Sequence, residues 1–298
     1  MRSMPSWLKK RLSFGEGLIE TKRILSELGL NTVCEASLCP NLNECYSART
    51  ATFLILGKNC TRCCGFCSMG RPETEAIDPA EPEKIAVAAR RLGLKYVVVT
   101  SVTRDDLADG GSGQFARVVE ALKKDFSCMK TEVLVPDFNG DVKSIEDVVR
   151  SGPDVFSHNI ETVSRLYPIA RRGADYNRSL EVLRLAKEIS GQQITKSGIM
   201  VGLGETEDEV IGAIRDIREA GCDILTVGQY LKPRSGRMAI SRFAAPEEFA
   251  RYKEAGESMG FRHVASGPFV RSSYLAEDIF NQLGGDDTHD RRYAAAVS

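Results

Sequence analysis

The chain has 298 residues, with 40 Lys and Arg against 41 Asp and Glu, three His and nine Cys. That balance gives no bulk electrostatic case for nucleic acid or an anionic membrane as a partner, and no run of about 18 apolar residues offers a membrane span. The length suits one large α/β domain, and an odd number of cysteines with no apolar leader before them argues against a disulfide framework.

The segment from Met1 to Trp7 lacks an apolar core of the secretory type. Lys9, Lys10 and Arg11 hint at a transit peptide, but acidic residues and cysteines follow too soon. A cytoplasmic location, which keeps thiols reduced, is the expectation. A helical and irregular extension over residues 1–50 carries a first triplet, Cys34-x4-Cys39-x5-Cys45. Phe53-Leu54-Ile55-Leu56 then reads as a buried strand, and a short loop leads to a second triplet, Cys60-x3-Cys64-x2-Cys67. Each triplet supplies three thiolates, one short of closing a four-iron cluster, and an iron left open can do Lewis-acid chemistry. Zinc usually takes four ligands in paired C-x2-C units, which neither triplet shows. Two iron–sulfur clusters with different jobs are therefore expected. Cys63 leaves a competing Cys60-x2-Cys63-x3-Cys67 spacing open. Cys128 and Cys222 read as lone, small, buried hydrophobes.

Helical and strand patterns alternate from there. Pro82 opens a helix with Ile85, Ala88, Ala89 and Leu92 on one face, and Gly93 ends it. Tyr96–Val99 is a strand, followed by Phe115, Val118, Val119 and Leu122 at helical spacing. Glu132–Val135 is the third strand, with a helix bearing Ile145, Val148 and Val149. Asp154–Phe156 begins the fourth, and its helix carries Leu180, Leu183 and Ala186. Ile199–Val201 lies in the fifth. Thr206 and Glu209 form a capping box for a helix bearing Val210, Ile214 and Ile217. Ile224–Val227 is the sixth strand, and Phe249–Met259 its helix. Six βα units imply parallel strands with right-handed crossovers. The fold class is α/β, a partial (β/α)6 barrel of TIM type, with chemistry at the C-terminal strand ends. The barrel spans 51–267, the cluster-binding extension 1–50, and a C-terminal segment 268–298 ends in a polar tail after Gly284.

The second triplet, placed after the first strand of such an array, resembles the radical S-adenosylmethionine (SAM) superfamily. A closer resemblance is to the lipoyl synthase family. It is carried by Thr32-Val33-Cys34-Glu35-Ala36, Cys39-Pro40-Asn41, Glu44-Cys45, Cys60-Thr61-Arg62, Arg104-Asp105-Asp106-Leu107, His158-Asn159-Ile160-Glu161-Thr162, Thr195-Lys196-Ser197-Gly198 and Arg271-Ser272-Ser273-Tyr274. The resemblance implies two 4Fe-4S clusters and SAM as cofactors. Cys60, Cys64 and Cys67 would hold the cluster that cleaves SAM. Cys34, Cys39, Cys45 and Ser273, with Ser272 as the other choice, would hold an auxiliary cluster that gives up sulfur. The implied reaction inserts sulfur at C6 and C8 of an octanoyl chain on a lysine of a carrier-protein domain. An electron donor such as a flavodoxin or ferredoxin is implied as well. Gly110 and Gly111 would meet the SAM amino group, Asn159 and Glu161 its ribose, and Arg171 or its neighbour Arg172 its carboxylate. Gly198-x-Met200-x-Gly202-x-x-Glu205 matches a superfamily pattern near the adenine. The chain departs from the family at Cys63 and Gly65, where Arg and Pro are usual. Other readings are a different radical SAM sulfur-inserting enzyme or a non-catalytic electron-transfer protein.

Overall fold

The computed structural model describes residues 4–10, 15–69, 73–125, 128–233 and 236–284. The polar tail after Gly284 lies outside them.

The extension forms α1 (Glu16–Leu28), a two-residue strand β1 (Asn31–Thr32), α2 (Val33–Ala36) and α3 (Leu42–Ser47). The array then runs β2 (Thr52–Ile55), α4 (Glu81–Leu92), β3 (Tyr96–Ser101), α5 (Ser112–Asp125), β4 (Lys130–Leu134), α6 (Val142–Ser151) and β5 (Val155–Ser157). It continues with α7 (Tyr167–Ala170), α8 (Tyr176–Ile189), β6 (Ile194–Val201), α9 (Glu207–Glu219), β7 (Ile224–Gln229) and α10 (Pro246–Ser258). β8 (His263–Gly267) and α11 (Ala276–Leu283) finish it.

The strands lie in sequence order in one eight-stranded sheet. β2 to β8 are parallel, and β1 joins the edge antiparallel to β2. Each of the six expected βα units is present. The two strands beyond them are instructive. β1 is too short to show a period. β8 reads His-Val-Ala-Ser-Gly, with one branched residue, and so lacks a strand composition. Local signals behave as chemistry requires. Gly93 ends α4 with φ of 68°, a conformation costly for other residues. Thr206 and Glu209 cap α9 reciprocally.

Side chains alternate across the strands. Val97, Val99 and Val133 pack toward the helices with Ile85, Val118 and Ile145. Tyr96 and Glu132 face the other way. There the Tyr96 hydroxyl donates to Glu132 Oε2 at 2.8 Å. Lys196 Nζ bridges both Glu132 oxygens at 3.0 and 3.1 Å, with each side chain 1% exposed. This buried pair satisfies charges that would be costly alone. Phe280 of α11 lies against Tyr96 with ring centroids 5.5 Å apart. Among the described residues no helix is long and apolar enough to cross a membrane.

Candidate cluster and cofactor site

Loops at the C-terminal ends of the parallel strands build the site. The loop after β2 carries Cys60, Cys64 and Cys67, all half-buried. It is pinned on both sides. Thr61 N donates to Thr103 O at 3.1 Å, and Gly65 N to Ala170 O at 2.8 Å. Gly65 O accepts from Arg237 N at 2.8 Å and Met238 N at 3.0 Å. A Cβ at Gly65 would stand 2.8 Å from Met238 Cγ and 3.0 Å from Ile169 O, so the contacts there favour glycine. Burial, then the charge of Cys67, pushes the Cys64 thiol up to about 12. Cys67 is raised first by burial and also by Cys60. The three sulfurs therefore sit within electrostatic reach of one another. Such a set ionises together only against a cationic group, which an iron–sulfur cluster supplies.

The first triplet is organised in the same way. Cys34 sits on α2, whose cap Thr32 accepts from Glu35 N at 3.3 Å. Cys39 N donates back to Cys34 O at 3.0 Å, and Cys45 lies on α3. Burial, opposed by bonding from Thr52 and aided by Cys39, lifts Cys34 to about 11. Burial and then Cys34 and Cys39 lift Cys45 to about 12. Among the described residues no three His, Cys, Asp or Glu form a group that would hold a single metal ion.

Residues 271–274 form a turn, closed by Tyr274 N donating to Arg271 O at 3.0 Å. Its two ends face the first triplet. Tyr274 donates to Glu44 Oε1 at 2.8 Å, and its phenol is raised by burial, Glu44, Cys45 and Cys39. Arg271 is lowered by burial against the pull of Cys39. Ser272 and Ser273, both half-buried, stand between. Gly228 on β7 makes room for this segment, since a Cβ there would run into Val270 O. Asn41 Nδ2 donates to Phe269 O at 2.8 Å, and Lys10 holds Asn41 Oδ1 at 2.7 Å.

Asp109 opens α5 by capping it, accepting from Gly111 N at 2.9 Å and Gly113 N at 3.0 Å. Gly110 N donates to Leu107 O at 3.1 Å. Both glycine N–H groups are thus engaged within the turn. An incoming ammonium is itself a donor, so this turn can offer it only carbonyl oxygen. Asn159 and Glu161 follow β5, and Asn159 Nδ2 donates to Glu161 Oε1 at 3.1 Å. Asn159 Oδ1 is buried without a partner among the described residues. Gly198 leaves space beside it, since a Cβ there would stand 3.0 Å from that oxygen. The Glu161 carboxyl is raised by burial against the opposing charge of Arg171.

Arg171 turns inward and Arg172 is exposed. Arg171 Nη1 donates to Asn159 O at 2.9 Å and to Tyr167 Oη and Ser179 Oγ at 3.0 Å. Its charge opposes the rise of the Cys64 thiol, so the guanidinium lies within electrostatic reach of the cysteine loop. His158 is fully buried, and burial with the Arg171 charge holds it at about 3. A neutral ring donating Nδ1–H to Val135 O at 2.9 Å leaves Nε2 to accept from Arg171. In the glycine string, Glu205 collects Gly202 N, Leu203 N and Gly204 N at 2.5, 2.8 and 3.0 Å. Its carboxylate organises that loop.

Sequence reading missed the polar partners that hold these loops. Arg62, Asp105, Asp137, Asn139 and Arg178 meet beside the second triplet. Tyr167 and Ser179 aim Arg171. Ion pairs between distant loops leave no periodic trace, and of these residues Arg62 and Asp105, each inside a motif that carries the resemblance, offered a signal.

A profile of the radical SAM superfamily matches residues 54–228. A lipoyl synthase of Rubrobacter xylanophilus is 52% identical over 276 residues, covering 92% of this chain and 85% of that one. One from Caldicellulosiruptor saccharolyticus is 52% identical over 274 residues, covering 92% and 96%. Among solved structures, methylornithine synthase (PylB) aligns over 96% of this chain and 98% of its own with a TM-score of 0.54 at 14% identity. HydG, a maturase of the [FeFe]-hydrogenase, aligns over 90% and 75% with a TM-score of 0.53 at 13% identity. Likeness at that identity establishes a shared fold. Because about half of its residues match those enzymes along nearly their whole length, this chain belongs to the lipoyl synthase family of the radical SAM superfamily.

Proposed function

We infer that this chain acts as a lipoyl synthase, inserting sulfur at C6 and C8 of an octanoyl chain carried on a protein lysine by radical SAM chemistry. The observation that carries the reading is 52% identity to such an enzyme over 92% of this chain, together with both cysteine triplets and the Arg271–Tyr274 turn beside one of them. When bound, one 4Fe-4S cluster would supply the electron and open iron that cleave SAM to a 5′-deoxyadenosyl radical, and a second would supply the sulfur.

The residues divide the work. Cys60, Cys64 and Cys67 hold the first cluster. Cys34, Cys39 and Cys45 hold the second with Ser273, an alkoxide that binds iron more weakly than a thiolate. The Gly110–Gly111 turn receives the SAM amino group on backbone carbonyls. Arg171 receives the carboxylate, and neutral His158 holds its guanidinium without competing for the anion. Asn159 Oδ1 accepts from a ribose hydroxyl, with Glu161 beside it. The carrier domain delivers the octanoyl-lysine in the cytoplasm, and a flavodoxin or ferredoxin delivers electrons.

Anaerobically reconstituted protein, given SAM, dithionite and an octanoyl-lysine peptide, tests this. Lipoyl peptide and 5′-deoxyadenosine are the expected products. Intact clusters with no thiolated peptide would overturn it.

A further inference from the structure

Arg62 sits between Cys60 and Cys64 and its backbone N donates to Cys60 Sγ at 3.4 Å, yet its guanidinium turns to other loops. It is buried. Nε and Nη2 clasp both oxygens of Asp105, each at 2.8 Å. Nη2 also reaches Asp137 Oδ1 and Asn139 Oδ1, each at 2.7 Å. Asp137 is fully buried and shares a second guanidinium, that of Arg178 at 2.9 Å. Asn139 closes the ring, donating from Nδ2 to Asp105 Oδ1 at 2.9 Å and from its backbone N to Asp137 Oδ1 at 3.2 Å. The loops after β2, β3 and β4 thus meet on one side chain.

The turn at the far end of this ring is strained. Phe138 has φ of 44° and Asn139 φ of 52°, and neither is glycine. Such a turn persists only where its surroundings over-determine it, and strain of this kind marks functional positions. Here it delivers the Phe138 ring under Gly110. A Cβ at Gly110 would stand 3.0 Å from Phe138 Cδ1. The same ring packs edge-on against Phe115 of α5, with centroids 6.3 Å apart. Ser144 of α6 donates to Asp109 O at 3.1 Å, steadying the turn from its other side. A contiguous path therefore runs from Arg62 through Asp137 and Phe138 to Gly110.

We propose that Arg62, Asp137 and Asn139 form a brace that fixes the Gly110–Gly111 turn relative to the cluster loop and thereby sets affinity for SAM. They are positioning residues and touch no reacting atom. The proposal rests on the lipoyl synthase reading, in which SAM spans that turn and the open iron. A ligand whose amino group is held by the turn while its methionyl end is presented to the open iron binds well only when turn and cluster loop are in register, and a misplacement of about 1 Å is costly. Lysine is a poor substitute in the brace, because a point charge cannot reproduce a planar fork shared by three partners.

The test uses anaerobically reconstituted holoenzyme and two variants, Arg62→Lys and Asn139→Gly. Glycine accepts the left-handed backbone at 139, so the second variant removes the amide while leaving the turn free to form. SAM affinity is measured by equilibrium dialysis, and amide exchange is followed over residues 103–111. We expect full iron content in both variants, a SAM Kd at least tenfold higher, and faster exchange in that segment. Wild-type SAM affinity in Asn139→Gly with iron retained would overturn the brace, whatever Arg62→Lys does. A wild type that reconstitutes but binds no SAM would instead defeat the proposed function. In that case unchanged exchange over 103–111 in both variants would overturn the brace, and faster exchange would support it.

Discussion

The Ser68 hydroxyl donates to the Ala36 carbonyl at 2.8 Å. Ser68 follows Cys67, and Ala36 lies between Cys34 and Cys39, so one hydrogen bond ties the two cysteine loops together. A carbon radical made at one site is useful only if sulfur at the other stands within bonding reach. Ser68→Ala removes a bond worth about 1 kcal/mol. The protein should stay folded with full iron. Lipoyl product per 5′-deoxyadenosine should fall a few-fold, as product analysis by mass spectrometry would report. An unchanged ratio would mean that the contact plays no part in aligning the loops.

The wild type should carry about eight irons and as many sulfides per chain after reconstitution. Stoichiometric zinc with negligible sulfide would contradict this. Cys63→Ser should retain SAM cleavage, and Cys64→Ser should lose it, because only Cys64 gives the x3-then-x2 spacing. The opposite pattern would reassign the ligand.

Ser273→Ala removes a hydroxyl and little volume, so stability should change by less than about 2 kcal/mol if the cluster stays. SAM cleavage should continue while lipoyl product drops sharply. Normal product from Ser273→Ala, with loss in Ser272→Ala, would move the ligand by one residue.

His263 supplies a pH signature far from either cluster loop. Burial, then the charges of Lys253 and Lys196, hold its folded pKa at about 4, against an ordinary value of 6.5. The unfolded chain therefore binds more protons between those values. The His263 contribution to stability is complete above pH 6.5 and is lost as the pH falls toward 4. His263→Gln abolishes the titration. Urea midpoints of wild type and variant should shift in favour of the variant between pH 7.5 and 5. A constant difference would show that His263 titrates alike in both states.

The βα alternation was legible because Val- and Ile-rich strands and amphipathic helices announce themselves by period. β8 was not, since Ala265, Ser266 and Gly267 carry no such pattern and are held by pairing with Thr226, Val227 and Gly228. The cysteines were legible as chemistry because thiolate spacing is local. The structure turns Arg171 inward and leaves Arg172 exposed, a difference that adjacent letters could not show. Asn139-Gly140 marks a turn in the sequence, but the left-handed pair at Phe138 and Asn139 and its contacts with Arg62 and Asp105 were not legible, because those partners lie in distant loops.

Isotope transfer in a mutant decides whether the two triplets do separate jobs. Cys34, Cys39 and Cys45 are replaced together, and the protein is given SAM, reductant and an octanoyl-lysine peptide bearing deuterium at C6. The second triplet remains, so 5′-deoxyadenosine should form and should carry deuterium, with no thiolated or lipoyl peptide. Normal lipoyl peptide from this variant would contradict the assignment of the first triplet as sulfur source. Loss of SAM cleavage with the remaining cluster intact by spectroscopy would contradict the separation itself.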